Sequence, residues 1–214
     1  MPRPCDKKDS PTSPNPFIMQ IVTLQPSNPD QRAIDRAASL LRQGKVIIYP
    51  TDTNSALGAD SLEPKAIQKL CQLKGLNPDK QTLTLVCANI AQAAQYARID
   101  NRAFDLMRRN LPGPFTFILP PANTLPKVLK GRKEVGVRVP DCPIALALAE
   151  ELGHPIISGS IADSDPMELE SQVPLMLTDA SREYDDGPAQ GSAIIDLTDS
   201  ADPQVLREGP LPLR

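Results

Sequence analysis

Apolar positions along the 214-residue chain follow two periods, which predict alternating helices and strands. Between Ala33 and Leu41 they recur three and four residues apart, so we predict an amphipathic helix that begins at Asn28-Pro29 and ends at Gly44. The uninterrupted apolar run 46–49 predicts a buried, central strand. Further helices are predicted over 64–74, 143–152 and 167–173, and two more begin near residues 90 and 101. A strand is predicted to begin at residue 19, and others cover 82–87, 115–119, 135–139, 155–158, 193–197 and 204–207.

Helices and strands alternate along most of the chain, but some strands follow one another after long connections. This arrangement favours a single α/β domain over residues 19–214, built as a twisted, open, mixed sheet with helices packed on it. Residues 1–18 hold five prolines and few apolar side chains. Because such a segment buries too little apolar surface to become ordered, we predict a disordered tail in front of the domain.

Composition narrows the function classes. Aromatic residues make up 3% of the chain and the formal net charge is −3, which excludes a uniformly basic nucleic-acid binder and argues against aromatic stacking platforms. One run, 127–138, is locally basic, with five bases against the single acid Glu134: Lys127, Lys130, Arg132, Lys133 and Arg138. This run predicts either a basic surface or an ordinary solvated connection between strands.

Cysteine and histidine usage limits the chemistry further. The four cysteines lack metal-ligand spacing, and the lone histidine, His154, excludes a multi-histidine zinc site and argues against a Ser-His-Asp triad. We therefore expect reduced thiols, no metal held by the protein, and a structural role for His154. No apolar run is long enough to span a membrane, so we expect a cytoplasmic protein.

Two polar segments in the first half of the chain could carry chemistry. Directly after the run 46–49, Pro50-Thr51-Asp52-Thr53 offers two hydroxyls and a carboxylate, which either bind a small polar ligand or cap a turn. Lys74 ends a predicted helix, where it either meets a phosphate as a point charge or complements the helix dipole. The residues alone favour the dipole interpretation for Lys74.

Two more such segments lie in the second half of the chain. Pro112-Gly113-Pro114 predicts a rigid turn that leads into a strand, at the start of which Thr116 presents a hydroxyl. Arg138 lies inside an apolar strand, where an unpaired charge is costly. It therefore either meets an internal acid or faces an anionic ligand, and the sequence leaves both open.

Taken in order, these segments resemble the motifs of the YrdC/YciO family over residues 19–209. The matching motifs are Pro50-Thr51-Asp52-Thr53 followed by Leu57-Gly58, Lys74 at the start of a Lys-x-Arg motif, Pro112-Gly113-Pro114-x-Thr116, Gly136-x-Arg138-x-Pro140, the Ser158-Gly159-Ser160 loop, and a closing pair of strands containing Ser192 and Leu206-Arg207-Glu208-Gly209.

The resemblance implies the YrdC-like α/β fold and a nucleotidyltransferase reaction. The synthases of this family, L-threonylcarbamoyladenylate synthases, join L-threonine, bicarbonate and ATP, with Mg²⁺ on the ATP, and release pyrophosphate. A threonylcarbamoyl-transferase partner then passes the group to tRNA, forming threonylcarbamoyladenosine. By resemblance, Lys74 and Arg138 are the catalytic residues that bind anionic substrate groups. Substrate binding falls to Thr51, Thr53, Thr116, Ser158 and Ser160, of which the two serines face the nucleotide together with Ser192 and Arg207.

Three departures from the family pattern point to the YciO-like branch. Leu76 replaces the second cation of Lys-x-Arg, Ser55 replaces a tyrosine, and 161–163 replaces the end of the serine-rich loop with a segment that adds Asp163. Loss of one charge-assisted contact predicts a slow synthase. Two alternatives stay open: a non-catalytic relative that binds double-stranded RNA or tRNA through the basic run 127–138, and a protein that binds a nucleotide without turning it over.

Overall fold

The computed structural model describes residues 19–75, 83–123, 125, 129–161, 166–182 and 191–214. Within them the helices are α1 (Gln31–Arg42), α2 (Pro64–Leu73), α3 (Ile90–Ala93), α4 (Asn101–Asn110) and α5 (Pro143–Leu152), with a short 3-10 helix at Pro166–Leu169. The strands are β1 (Gln20–Leu24), β2 (Ile47–Tyr49), β3 (Ala56–Asp60), β4 (Thr84–Val86), β5 (Phe115–Leu119), β6 (Val135–Arg138), β7 (Ile156–Ser160), β8 (Leu175–Asp179), β9 (Ala193–Asp196) and β10 (Gln204–Arg207). The predicted tail, 1–18, lies outside the described residues.

All ten strands belong to one mixed sheet in the order β1-β8-β2-β3-β7-β4-β6-β5-β9-β10. β1, β2 and β8 run parallel to one another, as do β4 and β6 and also β5 and β9, while the remaining neighbours are antiparallel. The predicted α/β fold, a mixed open sheet with helices packed on it, is confirmed.

Helix ends follow local capping chemistry. The α1 helix starts two residues later than Asn28-Pro29 predicts, because the carboxylate of Asp30 accepts the Arg32 amide at 2.9 Å and caps the helix there. Proline opens both α2 and α5 at the first turn, and Gly153 ends α5 in the left-handed conformation, with φ 81°. None of the helices in the described ranges has the length and apolar character needed to cross a membrane.

Two hydrophobic clusters lie on opposite faces of the sheet. On one face α2 and α4 pack against fully buried side chains of the central strands, namely Leu57, Leu85, Phe117, Val137 and Ile157. On the other face α1 and α5 pack over β2 and β3 and over the ends of β4 and β7, burying Ile47, Tyr49, Val86 and Ile156. Because side chains alternate along a strand, the residues next to those of the first cluster form the rest of this second face, and apart from Ile118 the ones around Gly136 are small or polar.

Candidate functional site

The centre of the candidate site is an ion pair at the end of β6. Arg138 Nη2 donates to the Asp52 carboxylate and also to Thr53 Oγ1 at 2.8 Å and Thr51 Oγ1 at 3.4 Å. Only 11% of the Arg138 side chain and 7% of the Asp52 side chain are exposed. Of the two alternatives left open for Arg138, the structure shows the internal acid.

Residues 50–55, which follow β2, are held over the sheet by this pair. Three strands separate β2 from β6 in the sheet, so the segment must cross that face for Asp52 to reach Arg138. The other carboxylate oxygen of Asp52 accepts the Asp141 amide at 3.0 Å, and Arg182 donates to the carbonyls of Thr51 and Thr53. Two arginines therefore hold this segment, Arg138 through the threonine hydroxyls and Arg182 through their carbonyls.

The Nε–H donor of Arg138 is unsatisfied in the described structure. Its Nε is buried and has no hydrogen-bond acceptor among the described residues. Leaving a charged, buried donor unsatisfied is unfavourable, so this N–H is a natural contact for an oxygen supplied by a ligand.

A second polar group adjoins the first through strand pairing. Thr116 on β5 lies directly opposite Arg138, and its hydroxyl is 2.9 Å from that of Ser192. Arg207 donates through Nε and Nη2 to the Ser192 carbonyl, at 3.0 and 2.8 Å. The guanidinium lies where a side chain at Gly191 would stand, 3.2 Å from an added Cβ, so glycine there leaves room for it.

The floor between these groups is made of small side chains. Ser158 on β7 pairs with Thr84 on β4, and Thr84 pairs with Gly136 on β6. A Cβ at Gly136 would lie 3.4 Å from the Thr84 hydroxyl, 3.5 Å from Thr116 and 3.6 Å from Ile118, so these side chains surround the space over Gly136. The described part of the chain thus joins Arg138, Thr116 and Ser158 on a single polar floor.

Ser158, Gly159 and Ser160 are the last residues of β7, not a loop as the family resemblance implies. Their strand conformation sends alternate side chains to opposite faces. Ser158 accepts a hydrogen bond from the Tyr49 hydroxyl at 2.7 Å on the polar side. On the other side, Lys74 passes so close to Gly159 that an added Cβ would be 2.6 Å from its Cδ, and its ammonium group donates to the Ser160 carbonyl.

Sequence reasoning identified most of the cluster but missed three of its members. Lys74 approaches the end of β7 from α2, behind the polar floor, whereas the other expected site residues lie on or beside that floor. The missed residues are Tyr49, Thr84 and Arg182. A polar residue inside a short apolar strand was the available signal for Thr84, and a lone base within an acidic stretch was the signal for Arg182.

The basic run 127–138 needs a correction. Lys130 and Lys133 are exposed and Arg132 is partly buried, but Arg138 is turned inward to Asp52 and does not belong to any basic surface. Lys127 lies outside the described residues. The exposed charge of this run is therefore smaller than the sequence suggests.

His154 does not form a catalytic triad. Its Nδ1 atom lies 3.4 Å from the Ser61 hydroxyl and 3.5 Å from the Asp60 carboxylate, so serine and acid compete for one nitrogen instead of occupying both. Among the described residues, no group of three or more histidine, cysteine, aspartate or glutamate side chains could hold a metal ion.

Comparisons with known proteins place this geometry in context. The pattern of the Sua5/YciO/YrdC family, described as telomere recombination, matches residues 39–209. The chain is 39% identical to the uncharacterised protein YciO of Escherichia coli strain K12, over 90% of this chain and 96% of that protein. It is 33% identical to the threonylcarbamoyl-AMP synthase of Pyrococcus abyssi, over 83% of this chain and 54% of the synthase.

Solved structures give the same picture. The crystal structure of E. coli YciO aligns with a TM-score of 0.81 and 37% identity, covering 92% of this chain and 98% of YciO. The crystal structure of P. abyssi Sua5 complexed with L-threonine aligns with a TM-score of 0.79 and 30% identity, covering 91% of this chain and 59% of Sua5.

Proposed function

The chain belongs to the Sua5/YciO/YrdC family, and from this premise we propose that it makes L-threonylcarbamoyladenylate from L-threonine, bicarbonate and MgATP. The family includes threonylcarbamoyl-AMP synthases, and one solved relative is a complex with L-threonine. The product would pass to a threonylcarbamoyl-transferase partner for tRNA modification.

The observation that carries the proposal is the buried Nε–H of Arg138. It has no acceptor in the described structure, while Nη2 of the same guanidinium donates to the hydroxyls of Thr51 and Thr53, and Thr116 lies opposite Arg138 on β5. An amino-acid carboxylate supplies an oxygen for that donor, and the surrounding hydroxyls suit a small polar zwitterion. We therefore assign the L-threonine carboxylate to Arg138.

The nucleotide then belongs at the two ends of the floor. Arg207 and Ser192 lie at one end and Ser158 at the other, with Lys74 behind the end of β7. The neutral threonine amine first attacks the carbon of bicarbonate. A carbon–oxygen bond breaks, water leaves with one proton of the amine, and a carbamate remains. A carbamate oxygen then attacks the α-phosphorus of ATP, the bond to the β-phosphate breaks, and pyrophosphate leaves.

The charges of the reacting groups indicate which residues would assist the reaction. Negative charge builds on the departing pyrophosphate, where Lys74, beside the Ser158 end of the floor, would stabilise it electrostatically. Arg207 would contact the other end of the nucleotide. Asp52, the acid at the centre of the described site, is already engaged by Arg138 and the Asp141 amide. Magnesium therefore enters as part of MgATP, held by triphosphate oxygens, which suits an ion that keeps most of its ligands as water and phosphate.

Incubation with MgATP, L-threonine and bicarbonate tests the proposal, with pyrophosphate and the adenylate both measured. We expect slow pyrophosphate release that requires all three substrates. Leu76, outside the described residues, stands where a second cation is expected, so Leu76→Arg should increase the rate and Lys74→Ala should remove most of it. Calorimetry on the same protein separates the alternatives: heat from MgATP without pyrophosphate release indicates a nucleotide binder, and no heat from either substrate rules out the synthase.

A further inference from the structure

Tyr49 spans the width of one strand to reach the candidate site. It ends β2 and is fully buried, and its ring lies over Gly58 of β3, where an added Cβ would be only 2.9 Å from Cε1. Because Gly58 has no side chain, the Tyr49 ring can pass over it and place the phenol hydroxyl 2.7 Å from the Ser158 Oγ on β7. No other residue type at position 58 would leave the ring where it is.

The direction of this hydrogen bond can be assigned. Burial raises the pKa of Tyr49 well above its ordinary value, although the bond to Ser158 and the charge of Arg138 act in the opposite sense. The phenol therefore keeps its proton at neutral pH, and a phenol is a better donor than an aliphatic alcohol. Ser158 accepts, so its own hydroxyl proton must point away from Tyr49.

That proton has no acceptor within the part of the chain that the structure describes, where Tyr49 is the one hydrogen-bond partner of the Ser158 hydroxyl. Ser158 is half-buried and lies on the same polar floor as Thr84 and Gly136. We infer that Tyr49 is a positioning residue that fixes Ser158 as a one-directional hydrogen-bond donor to an acceptor oxygen of the bound substrate. The inference rests on the proposed function for the identity of that substrate, and on geometry alone for the direction of the donor.

A hydroxyl whose proton is held away from Tyr49 presents a donor in a fixed direction and has one of its two lone pairs already occupied. Its proton suits a phosphate, carboxylate or carbamate oxygen, and with one lone pair taken it is a poorer acceptor for an ammonium or amide N–H. Ser158 and Lys74 lie at the same one of the two ends of the floor assigned to the nucleotide, and Lys74 suits the triphosphate, so we expect the acceptor of Ser158 to be a phosphate oxygen of ATP.

The first test needs no ligand. Three-bond Hα–Hβ couplings of Ser158 report its χ1 rotamer in the free protein, in the wild type and in Tyr49→Phe, which keeps the ring over Gly58 and removes only the hydroxyl. A single rotamer in the wild type and an averaged one in the variant is the expected result. The same single rotamer in both proteins would show that Tyr49 does not hold the Ser158 Oγ in place, and this would overturn its positioning role whatever the protein is found to bind.

The second test measures MgATP binding by calorimetry in a double-mutant cycle. Tyr49→Phe should weaken binding about threefold to tenfold, as expected for one neutral hydrogen bond, and Ser158→Ala should weaken it at least as much. Because Tyr49 acts through Ser158, the double variant should bind no more weakly than Ser158→Ala alone. Additive losses would overturn the inference. Tyr96→Phe, a partly buried tyrosine packed on the opposite face of the sheet, is the matched control and should bind like the wild type.

In a second experiment, L-threonine is titrated into the four proteins of the cycle, namely the wild type, Tyr49→Phe, Ser158→Ala and the double variant. A loss confined to MgATP assigns the acceptor to the nucleotide, and a loss confined to L-threonine moves it to the amino acid while keeping the role of Tyr49. Wild-type protein that binds neither ligand would contradict the proposed function, and the rotamer measurement would then decide the inference alone.

Discussion

The central strands β7, β4, β6 and β5 present two faces that differ in almost everything except their backbone. One face is apolar and fully buried, and packs in one cluster with α2 and α4 through Ile157, Leu85, Val137 and Phe117. The other face is apolar under α5 and at Ile118, but in its centre it carries residues that are polar or lack a side chain: Ser158, Thr84, Gly136, Arg138 and Thr116. The same hydrogen-bonded ladder thus serves as core on one side and as candidate site on the other.

The difference shows how a rigid site is built from few residues. On the apolar face the strands are held by side chains that fill the space under two helices, so the ladder cannot move independently of the core. On the polar face glycine and small hydroxyl side chains leave space over the strands, and residues 50–55 close over it through Asp52. We therefore assign stability to the apolar face and ligand contact to the polar face. Substitutions on the apolar face should lower the unfolding free energy, and those on the polar face should change substrate binding.

The largest effect is expected where the two roles meet, at Arg138. Arg138→Met leaves the Asp52 carboxylate buried without its partner, which typically costs ~3–5 kcal/mol of unfolding free energy. It also removes the donor assigned to threonine, a loss of roughly tenfold to over a hundredfold in rate. Urea unfolding and the pyrophosphate assay measure the two consequences separately.

A paired variant distinguishes the structural role of Arg138 from its role in binding. Asp52→Asn combined with Arg138→Met removes both charges, so most of the stability should return while synthesis stays low. Recovery of synthesis along with stability would mean that Arg138 acts only as the partner of Asp52.

The next effect concerns two neighbours on β4 that face opposite ways. Leu85→Ala should cost about 2–5 kcal/mol because it leaves a cavity in the apolar cluster, while the KM values of the folded enzyme stay unchanged. Thr84→Ala, one residue earlier, should cost less than about 1 kcal/mol and should change KM. Chemical denaturation and steady-state kinetics on both variants check the contrast, and equal effects on stability would contradict the assignment of the faces.

The sequence predicted the fold class but not every strand of it. β3 has the sequence Ala56-Leu57-Gly58-Ala59-Asp60, whose small residues carry little strand propensity, so its location was missed although Leu57-Gly58 was noted as a motif. β8 follows Pro174 directly and was missed because the proline was interpreted only as the end of the predicted helix 167–173. In both cases burial by distant parts of the chain overrides the local signal.

For the candidate site, the sequence predicted polar groups that the structure brings together but not the residues that hold them in place. Arg138 and the hydroxyls of Thr51 and Thr53 were predicted, since polar residues after or inside buried strands are conspicuous. Tyr49 and Arg182 were not, because their roles depend on which strands become neighbours and on the space over Gly58. The long-range order β2-β3-β7 is the missing information, and local pattern does not contain it.

A smaller effect is expected from filling the polar floor at Gly136. An alanine Cβ there would meet Thr84, Thr116 and Ile118 at 3.4–3.6 Å, which is ordinary contact, so Gly136→Ala should fold with unchanged or slightly higher stability. The shallower floor should raise the KM for MgATP or L-threonine several-fold. Gly58→Ala is the comparison variant: its Cβ would be 2.9 Å from the Tyr49 ring, so that variant should lose stability. Unchanged KM values in Gly136→Ala would show that substrate does not reach this floor.

The smallest effect is a dependence of stability on alkaline pH. Burial raises the pKa of Tyr49 above the value of about 10 that it has when unfolded, so the folded state holds this proton more tightly than the unfolded state. The contribution of Tyr49 is therefore fully present below pH ~10 and is lost as pH rises further, by about 0.8 kcal/mol at pH ~10.5 for a phenol that stays neutral when folded.

Burial raises the pKa values of Cys87, Cys142 and Tyr96 with the same sign, so only a difference between proteins isolates Tyr49. Urea unfolding of the wild type and of Tyr49→Phe from pH ~8 to pH ~10.5 provides it. The two stability curves should run parallel up to pH ~9.5 and then converge, because the wild type alone loses the contribution of the buried phenol. Curves that stay parallel to the end of the range would mean that the Tyr49 hydroxyl reaches solvent in the folded protein and so cannot hold Ser158 in one direction.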